Sequence, residues 1–519
     1  MVRPFNFGDV TLDVSAGREI SRAVPASDDP FRIVLLGDFS GRSRASGQTA
    51  TGFANRRPVP VDRDNFDEVF TKIGAEIRLP LDNLSEPLHL QFTRLDDFHP
   101  DRIFQDAGMF RRLRELRARL QDPATFPAAA QELGLIAESH APSAPSAAKT
   151  TAVAPSVSRL ASGSLLDEMI EQSEVRAPEA RPSRAPDEVR EFARRVAEPL
   201  SVAAPDPRQA QIIATIDRAI GAQMRALLHT PDFQALEAAW RAVFLLVRRI
   251  ETNSQLKLYL VDVSKEELFA DLSSSTDLRS TNIYRLLVEG TVGTPGAEPW
   301  AVIAGNYTFG PGRGDAEVLG RIAKIARAAG APFIAAASPR LLGCGSFAST
   351  PQPREWKLPQ NAEDAAVWTA LRRLPEASAI GLALPRFLLR LPYGRKTAPV
   401  ESFDFEEMPD SPPHEDYLWG NPAFACVLLL AQSFSEDEWE MRPGSISEID
   451  GLPLHVYEQG GESELKPCAE ALMTENAANR MLENGLMPLA SLKGRDAVRL
   501  ARFQSIAEPL RGLAGPWSR

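Results

Sequence analysis

The chain has 519 residues, and its 44% hydrophobic and 24% charged content is ordinary for a globular protein of more than one domain. A formal net charge of −11 argues against nucleic acid as a partner, because nucleic-acid surfaces need clustered Lys and Arg. Three widely separated cysteines indicate neither a disulfide framework nor a zinc site, and we expect small apolar core residues in a reducing cytosol at Cys344, Cys426 and Cys468.

The N-terminal stretch MVRPFNFGDVTLDV has no apolar core behind Arg3, and the sequence contains no run of eighteen apolar residues. We therefore predict no membrane insertion and a cytoplasmic location. Residues 31–36 (FRIVLL) are apolar and end at Gly37, which predicts a buried strand. A helical stripe follows at Phe66, Val69, Phe70 and Ile73.

A strand is predicted at about residues 88–93, and a helix from Pro100 whose apolar positions are Phe110, Leu113, Leu116 and Leu120. These elements predict a smaller N-terminal α/β part over residues 1–125.

Residues 126–207 are rich in Ala, Pro and Ser, a composition that predicts a disordered linker. A short amphipathic segment at residues 164–171 interrupts this linker. A short helix there has little stability of its own and is expected to order in a partner's groove; the alternative is a helix that packs on the body of this protein. The predicted partner-binding residues are Leu165, Leu166, Asp167, Met169 and Ile170.

From residue 208 onward, two amphipathic helices precede an alternation of strands and helices. The strand segments are KLYLVDV, WAVIAGNY, FIAAA and AIGLAL, and Ser264 with Glu267 predicts a capping box after the first of them. Apolar strands separated by helices predict an α/β fold, with a mostly parallel or mixed sheet flanked by helices.

Two motifs resemble parts of catalytic sites without completing them. Residues 310–315 (GPGRGD) follow a strand and precede a helix, but they lack the G-x-G-x-x-G spacing, and Pro311 removes a donor N–H. We favour a tight turn there over a phosphate site. His414 and Glu415 begin like a zinc-protease helix, but Leu418 stands where the second ligand would be. We predict no catalytic residue, no metal and no cofactor.

The stretch from Gly381 to Asn421 contains two arginines, Arg386 and Arg390, in the segment LPRFLLRLPYG. We expect them to pair with carboxylates, since a guanidinium fits a carboxylate through two parallel hydrogen bonds. The candidate partners in the following acidic segment are Glu401, Glu406 and Glu407.

The segments LPRFLLRLPYG and HEDYLWGN, together with LLHTPDF and GLMPLASLKGRDAVRLARFQS, resemble the large subunit (TssC/VipB/EvpB-like) of the type VI secretion contractile sheath. The segments LLGDFSGR, PVPVDRDNFDEVF and LDDFHPDRIFQDAGMF resemble its small subunit (TssB/VipA-like). The chain thus resembles a fusion of the two subunits, with residues 208–519 as the large-subunit region. We expect it to lack the usual C-terminal domain of the large subunit, and hence not to form long sheaths alone.

The resemblance implies a structural, non-catalytic role. Implied partners are other type VI sheath subunits, the inner tube, and an AAA+ ATPase that disassembles the contracted sheath. Two alternatives stay open: a sheath-end modifier that limits polymerisation, and an α/β nucleotide-binding enzyme that uses the 310–315 turn.

Overall fold

A computed structural model describes residue 7 and residues 28–42, 55–80, 87–133, 206–292, 296–357 and 361–518. The chain divides into two units. The first consists of Met1–Arg114 with Asp217–Arg519, and the second is Glu115–Ile216. Most of the predicted linker, including residues 164–171, lies outside the described residues.

The strands, numbered in chain order, are β1 (Phe31–Gly37), β2 (Val59–Val61), β3 (Ala75–Leu79), β4 (Leu88–Phe92), β5 (Leu256–Asp262), β6 (Val302–Phe309), β7 (Phe333–Ala337), β8 (Ile380–Leu384), β9 (Phe387–Leu388), β10 (Trp419–Gly420), β11 (Glu448–Ile449), β12 (His455–Gln459), β13 (Glu462–Lys466), β14 (Met487–Ser491) and β15 (Val498–Leu500).

The helices are α1 (Phe66–Ile73), α2 (Pro100–Asp106), α3 (Arg111–Gln121), α4 (Phe126–Glu132), α5 (Gln209–Leu228), α6 (Pro231–Arg249), α7 (Lys265–Ser273), α8 (Asn282–Tyr284), α9 (Arg313–Ala329), α10 (Ala362–Arg372), α11 (Pro422–Asp437) and α12 (Glu475–Glu483).

Nine of the described strands form one mixed sheet, in the order β11-β15-β14-β8-β7-β6-β1-β5-β2. Its centre is parallel, from β14 to β5. Its edges are antiparallel, because β2 runs against β5 on one side and β15 and β11 alternate on the other. Pro60 lies in edge strand β2, where a residue without an N–H is tolerated. The predicted α/β fold with a mixed sheet is confirmed.

Strand β1 lies in the interior of this sheet. All seven of its residues pair with β5, from Phe31 opposite Leu256 to Gly37 opposite Asp262. On its other side, Ile33 to Leu36 pair with β6. The N-terminal region therefore supplies a central strand to a sheet whose other parallel strands come from residues after 255.

Helices cover both faces of the sheet. Val34 and Leu36 of β1 belong to the same core cluster as Leu319 and Ile322 of α9. Because side chains alternate along a strand, Ile33 and Leu35 point to the opposite face, where they are also buried. Helix α11 packs against β6, β7 and β8, and its run from Pro422 to Ala431 is buried all round, as expected of a central helix.

The helix predicted from Pro100 is in fact two helices. Helix α2 ends at Asp106, Ala107 adopts an extended backbone, and Gly108 opens a short 3-10 turn before α3. Glycine is a poor helix former, and an extended residue cannot continue the helical hydrogen-bond ladder. The apolar spacing alone did not reveal this break.

Residues of the second unit include α4, which lies at the beginning of the predicted linker range. Phe126, Ala129 and Ala130 of α4 are buried. The Gln209 side-chain amide donates to the carbonyl oxygens of Leu120 (2.7 Å) and Gln121 (3.0 Å), which ties the start of α5 to the end of α3.

Candidate functional site

The residues predicted to bind a partner all lie outside the described residues: Leu165, Leu166, Asp167, Met169 and Ile170. Within the described residues of the first unit, the feature most informative about function is the junction between its N-terminal region (up to Arg114) and the region after Asp217.

Trp240 of α6 is the centre of the junction. Its indole ring lies 4.1 Å from the ring of Phe70 and 5.8 Å from those of Phe66 and Phe39, measured between centroids. Its Nε1 donates a 2.8 Å hydrogen bond to the Phe39 carbonyl oxygen. One side chain of the later region thus anchors both the loop after β1 and helix α1.

Phe233, two turns earlier on α6, repeats this arrangement. Its ring lies 5.6 Å from Phe98 and 6.0 Å from Phe92, and these two rings stack at 4.1 Å. Aromatic pairs in such geometries are stabilising beyond the area they bury. The junction is therefore a continuous part of the hydrophobic core.

Charged groups at the edge of the junction form hydrogen bonds and an ion pair between the two regions. The Asp262 carboxylate, at the end of β5, accepts hydrogen bonds from the backbone N–H groups of Phe39 (2.9 Å) and Ser40 (3.0 Å). The Arg56 guanidinium binds the two carboxylate oxygens of Glu267 at 2.6 Å each. Burial alone would raise the pKa of Glu267, but the Arg56 contact and the N–H of Ser264 hold that pKa below its ordinary value.

The predicted capping box is confirmed, and its glutamate, Glu267, also binds Arg56 of the N-terminal region. The Ser264 hydroxyl accepts from the Glu267 N–H at 3.1 Å, and Glu267 Oε2 accepts from the Ser264 N–H at 2.9 Å. Because Glu267 also binds Arg56, the cap of α7 fixes the N-terminal region in place.

Arg390 lies in a buried charge cluster. Its Nη1 and Nη2 donate to Glu407 at 2.7 and 3.0 Å, and its Nε donates to Glu237 at 2.8 Å. Arg241 also donates to Glu237 (2.7 Å) and to the Tyr393 hydroxyl (2.9 Å). Two guanidinium groups therefore offset two carboxylates, as a buried ion pair requires.

The environment of this cluster changes the pKa values of its members. Burial by itself raises the pKa of Glu407, yet the Arg390 charge and the hydrogen bonds to the carboxylate outweigh it and lower that pKa to about 2. Burial raises the pKa of the Tyr393 hydroxyl to about 12. Glu407 is thus ionised at neutral pH while Tyr393 is protonated.

The predicted partners of the two arginines are correct only in part. Glu407 does bind Arg390, but Glu406 accepts from the backbone N–H of Arg395, and the Glu401 N–H donates to Asp101. The missed partner of Arg390 is Glu237, and its signal was a carboxylate inside the apolar stripe of α6, where a charge needs a cation. Both partners of Arg386, Glu415 and Glu470, were also missed.

Arg386 belongs to a second cluster. Its Nε donates to Glu470 at 2.8 Å and its Nη2 to Glu415 at 3.0 Å. His414 Nε2 lies 3.2 Å from Glu470 Oε1, and Lys466 Nζ lies 2.8 Å from His414 Nδ1. His414 therefore bridges β13 to the residues that hold Arg386, a structural contact unlike the metal ligation its sequence context imitates.

The turn at residues 310–315 holds its own carboxylate. The Gly310 N–H donates to Asp315 Oδ2 at 2.6 Å, and Lys265 Nζ lies 2.6 Å from Asp315 Oδ1. The Gly310 N–H and the Lys265 ammonium are the groups that a phosphate would contact, and Asp315 already binds both of them. This geometry favours the tight turn over the phosphate site.

A cavity of about 370 Å³ opens where β1 and β6 end, lined by residues that include Asp38, Asn306, Lys265 and Arg386. Its two cations are already paired, Lys265 with Asp315 and Arg386 with Glu470.

Across the described ranges, no group of three or more His, Cys, Asp or Glu residues could hold a metal ion. Helices long and apolar enough to cross a membrane are likewise absent from the described part. Cys344, Cys426 and Cys468 are all free and buried.

Comparisons with known proteins match both regions of the chain. The VipB family, described as "EvpB/VC_A0108, tail sheath N-terminal domain", matches residues 210–507. The family described as "Type VI secretion system, VipA, VC_A0107 or Hcp2" matches residues 13–128. A curated relative, "Type VI secretion system sheath protein TssC1" of Pseudomonas aeruginosa, is 37% identical over 304 residues, which are 57% of this chain and 61% of the relative. The chain thus matches less than two thirds of that relative's length.

Proposed function

Because the chain belongs to the VipB tail-sheath family and carries a VipA-type region in the same polypeptide, we propose that it is a structural, non-catalytic component of a type VI contractile sheath. The observation that carries this proposal is the place of β1. Residues Phe31–Gly37, from the VipA-type region, fill the space between β5 and β6 of the VipB-type region.

Strand β1 is needed to complete the sheet, because it pairs on both of its sides. Without β1, the facing edges of β5 and β6 would expose unpaired backbone groups within a hydrophobic core. A single chain that contains both regions therefore supplies β1 to its own sheet. We propose residues 1–125 as the small-subunit region and 208–519 as the large-subunit region, joined by residues 126–207, which begin with helix α4.

The proposed partners follow from the family. We propose that the protein assembles with other sheath subunits in the cytoplasm and that the assembly surrounds the inner tube. The buried Arg390–Glu407 pair supports a structural role, since a two-point Arg–carboxylate pair fixes orientation as well as distance.

An assembly experiment tests the proposal. Purified chain, labelled at an introduced surface tag, is mixed with separately expressed VipA-type and VipB-type subunits and imaged by electron microscopy, with the same mixture lacking the chain as control. We expect the label along the tubes. Label only at tube ends, with shorter tubes, would favour the sheath-end modifier, and exclusion from all tubes would contradict the proposal.

We also propose that the segment 164–171 binds an AAA+ disassembly ATPase. The support is the sequence pattern, because the spacing of Leu165, Leu166, Met169 and Ile170 predicts one apolar helix face, with Asp167 next to it in the sequence. A peptide of residues 160–175 should bind the ATPase N-terminal domain. Leu166→Asp should weaken binding at least about ten-fold, because a charge would enter the apolar contact. Glu168→Gln is the matched control, and equal binding of all three peptides would refute this assignment.

A further inference from the structure

Helix α9 contains two glycines, Gly314 and Gly320, although glycine is disfavoured inside a helix. Their surroundings differ. A Cβ at Gly314 would find its nearest neighbour, an atom of Phe269, at an ordinary contact distance of 3.8 Å. A Cβ at Gly320 would lie 2.2 Å from Cε1 and 2.6 Å from Cδ1 of Phe7. Gly320 thus makes a notch in the helix that only a residue without a side chain provides.

Phe7 fills this notch. Its side chain is buried, with 7% of its surface exposed, and it belongs to the same core cluster as the apolar face of α9. Lys324, one helical turn after Gly320, donates from Nζ to the Phe7 carbonyl oxygen at 3.1 Å. Residues four apart lie on one helix face. The notch at Gly320 therefore contacts the side chain of Phe7, while Lys324 contacts its backbone carbonyl.

We infer that Gly320 and Lys324 form a binding site for a short segment bearing an aromatic side chain, and that the chain's own N-terminal segment around Phe7 is its ligand. The notch at Gly320 accommodates the aromatic ring, and Lys324 binds the backbone carbonyl of the same residue. Phe7 precedes the range of the VipA-type match, residues 13–128, whereas Gly320 and Lys324 lie within the VipB-type match, residues 210–507. All the contacts of the site are made within one chain, so they do not require assembly into a sheath.

A peptide titration tests this inference on the full chain. The probe is a fluorescent peptide of residues 1–14 (MVRPFNFGDVTLDV), added to the wild-type chain and to the Phe7→Ala chain, whose notch is vacated. We expect saturable binding to Phe7→Ala and binding at least about ten-fold weaker to wild type, because a tethered segment competes at high effective concentration.

Two variants of the vacated chain locate the site. Adding Gly320→Ala should abolish peptide binding, because the new methyl group occupies the space of the ring, whereas adding Gly314→Ala on the same helix should leave it unchanged. Alanine is a better helix former than glycine, so a loss of binding at position 320 does not reflect a weakened helix.

Two variants of the peptide decide the question without altering the protein. The Phe7→Ala peptide should fail to bind, and the Phe5→Ala peptide should bind like the wild-type peptide, since the Phe7 ring lies against Gly320. The inference is overturned if the vacated chain binds no peptide, if it binds no more tightly than wild type, or if the Phe7→Ala peptide binds undiminished.

Discussion

The indole N–H of Trp240 donates a hydrogen bond of 2.8 Å to the backbone carbonyl of Phe39, a residue 201 positions earlier in the chain. Both residues are fully buried. The bond joins the VipB-type helix α6 to the loop that follows the VipA-type strand β1. It is a direct side-chain contact between the two family regions, beside the backbone pairing of β1 with β5 and β6.

Trp240→Phe should keep most of the aromatic packing and leave the Phe39 carbonyl without its donor. An unsatisfied buried acceptor and the lost ring volume together should lower the free energy of unfolding by about 2 to 4 kcal/mol. Urea denaturation followed by circular dichroism measures the change. Trp368→Phe, at a half-buried indole on α10, is the control and should cost clearly less. Equal losses in the two variants would contradict a special role for Trp240.

The two family regions should stay together after the backbone between them is cut. A protease site inserted near residue 150 allows cleavage of the folded chain. Because β1 pairs with both β5 and β6, we expect the fragments to co-elute in gel filtration and to unfold in one urea transition. The uncleaved chain is the control. Fragments that separate in native buffer would show that β1 does not hold the regions together.

The stability of the protein should depend on the ionisation of Glu407. Its pKa is lowered from 4.5 to about 2 in the folded chain, so its contribution is complete above about pH 4.5 and is lost as the pH falls towards 2. The size of that contribution is about 3 kcal/mol. Glu407→Gln should therefore destabilise the protein by about 3 kcal/mol at pH 7 and by progressively less below pH 4.5.

Urea midpoints measured at several pH values between 7 and 3 provide this test. The neighbouring Glu406→Gln is the matched control, because Glu406 is exposed and should show a small change at every pH. A Glu407→Gln difference that does not shrink with acid would mean that the loss comes from packing alone.

The hairpin of β12 and β13 should loosen when His414 is removed. An isolated two-stranded hairpin is marginal in water, and this one is held by Lys466 at His414 and by His455 Nδ1, 2.8 Å from the Tyr417 hydroxyl. In the His414→Ala variant, we expect the backbone amides of the β12–β13 hairpin to exchange their hydrogens about ten-fold faster than in the wild-type chain. His89→Ala, at an exposed histidine in the β3–β4 hairpin, is the control. Unchanged exchange in His414→Ala would show that the contact is not stabilising.

ATP should not bind at the 310–315 turn, because Asp315 already occupies the Gly310 N–H and the Lys265 ammonium. Titration calorimetry with Mg–ATP should give only dilution heats. Micromolar binding that is lost in Gly312→Leu would restore the nucleotide-binding alternative.

Much of the architecture was predictable because it depends on local pattern. The stripe at Phe66, Val69 and Phe70, the capping box at Ser264, and the apolar strands after residue 255 all describe short segments, and each has its expected secondary structure. Helix breaks were less predictable, as Ala107 and Gly108 illustrate, because apolar spacing persists across a break of a few residues.

The resemblance to both sheath subunits was also legible in the sequence, and the family matches confirm it. The contacts made by the 381–421 stretch could not be predicted from the sequence. Arg390 binds Glu407, 17 positions away, which the acidic segment suggested, but it also binds Glu237, 153 positions away. A sequence offers many carboxylates at that separation and no basis for choosing among them.

The sequence by itself thus determined many of the local elements, the fold class and the family, since periodicity and motifs are properties of contiguous residues. Only the tertiary structure decided that β1 enters between β5 and β6, that Trp240 meets Phe39, and that Phe7 fills the notch at Gly320. These contacts join residues hundreds of positions apart, and which partner wins depends on the shape and burial of the whole core, a property that no local pattern records.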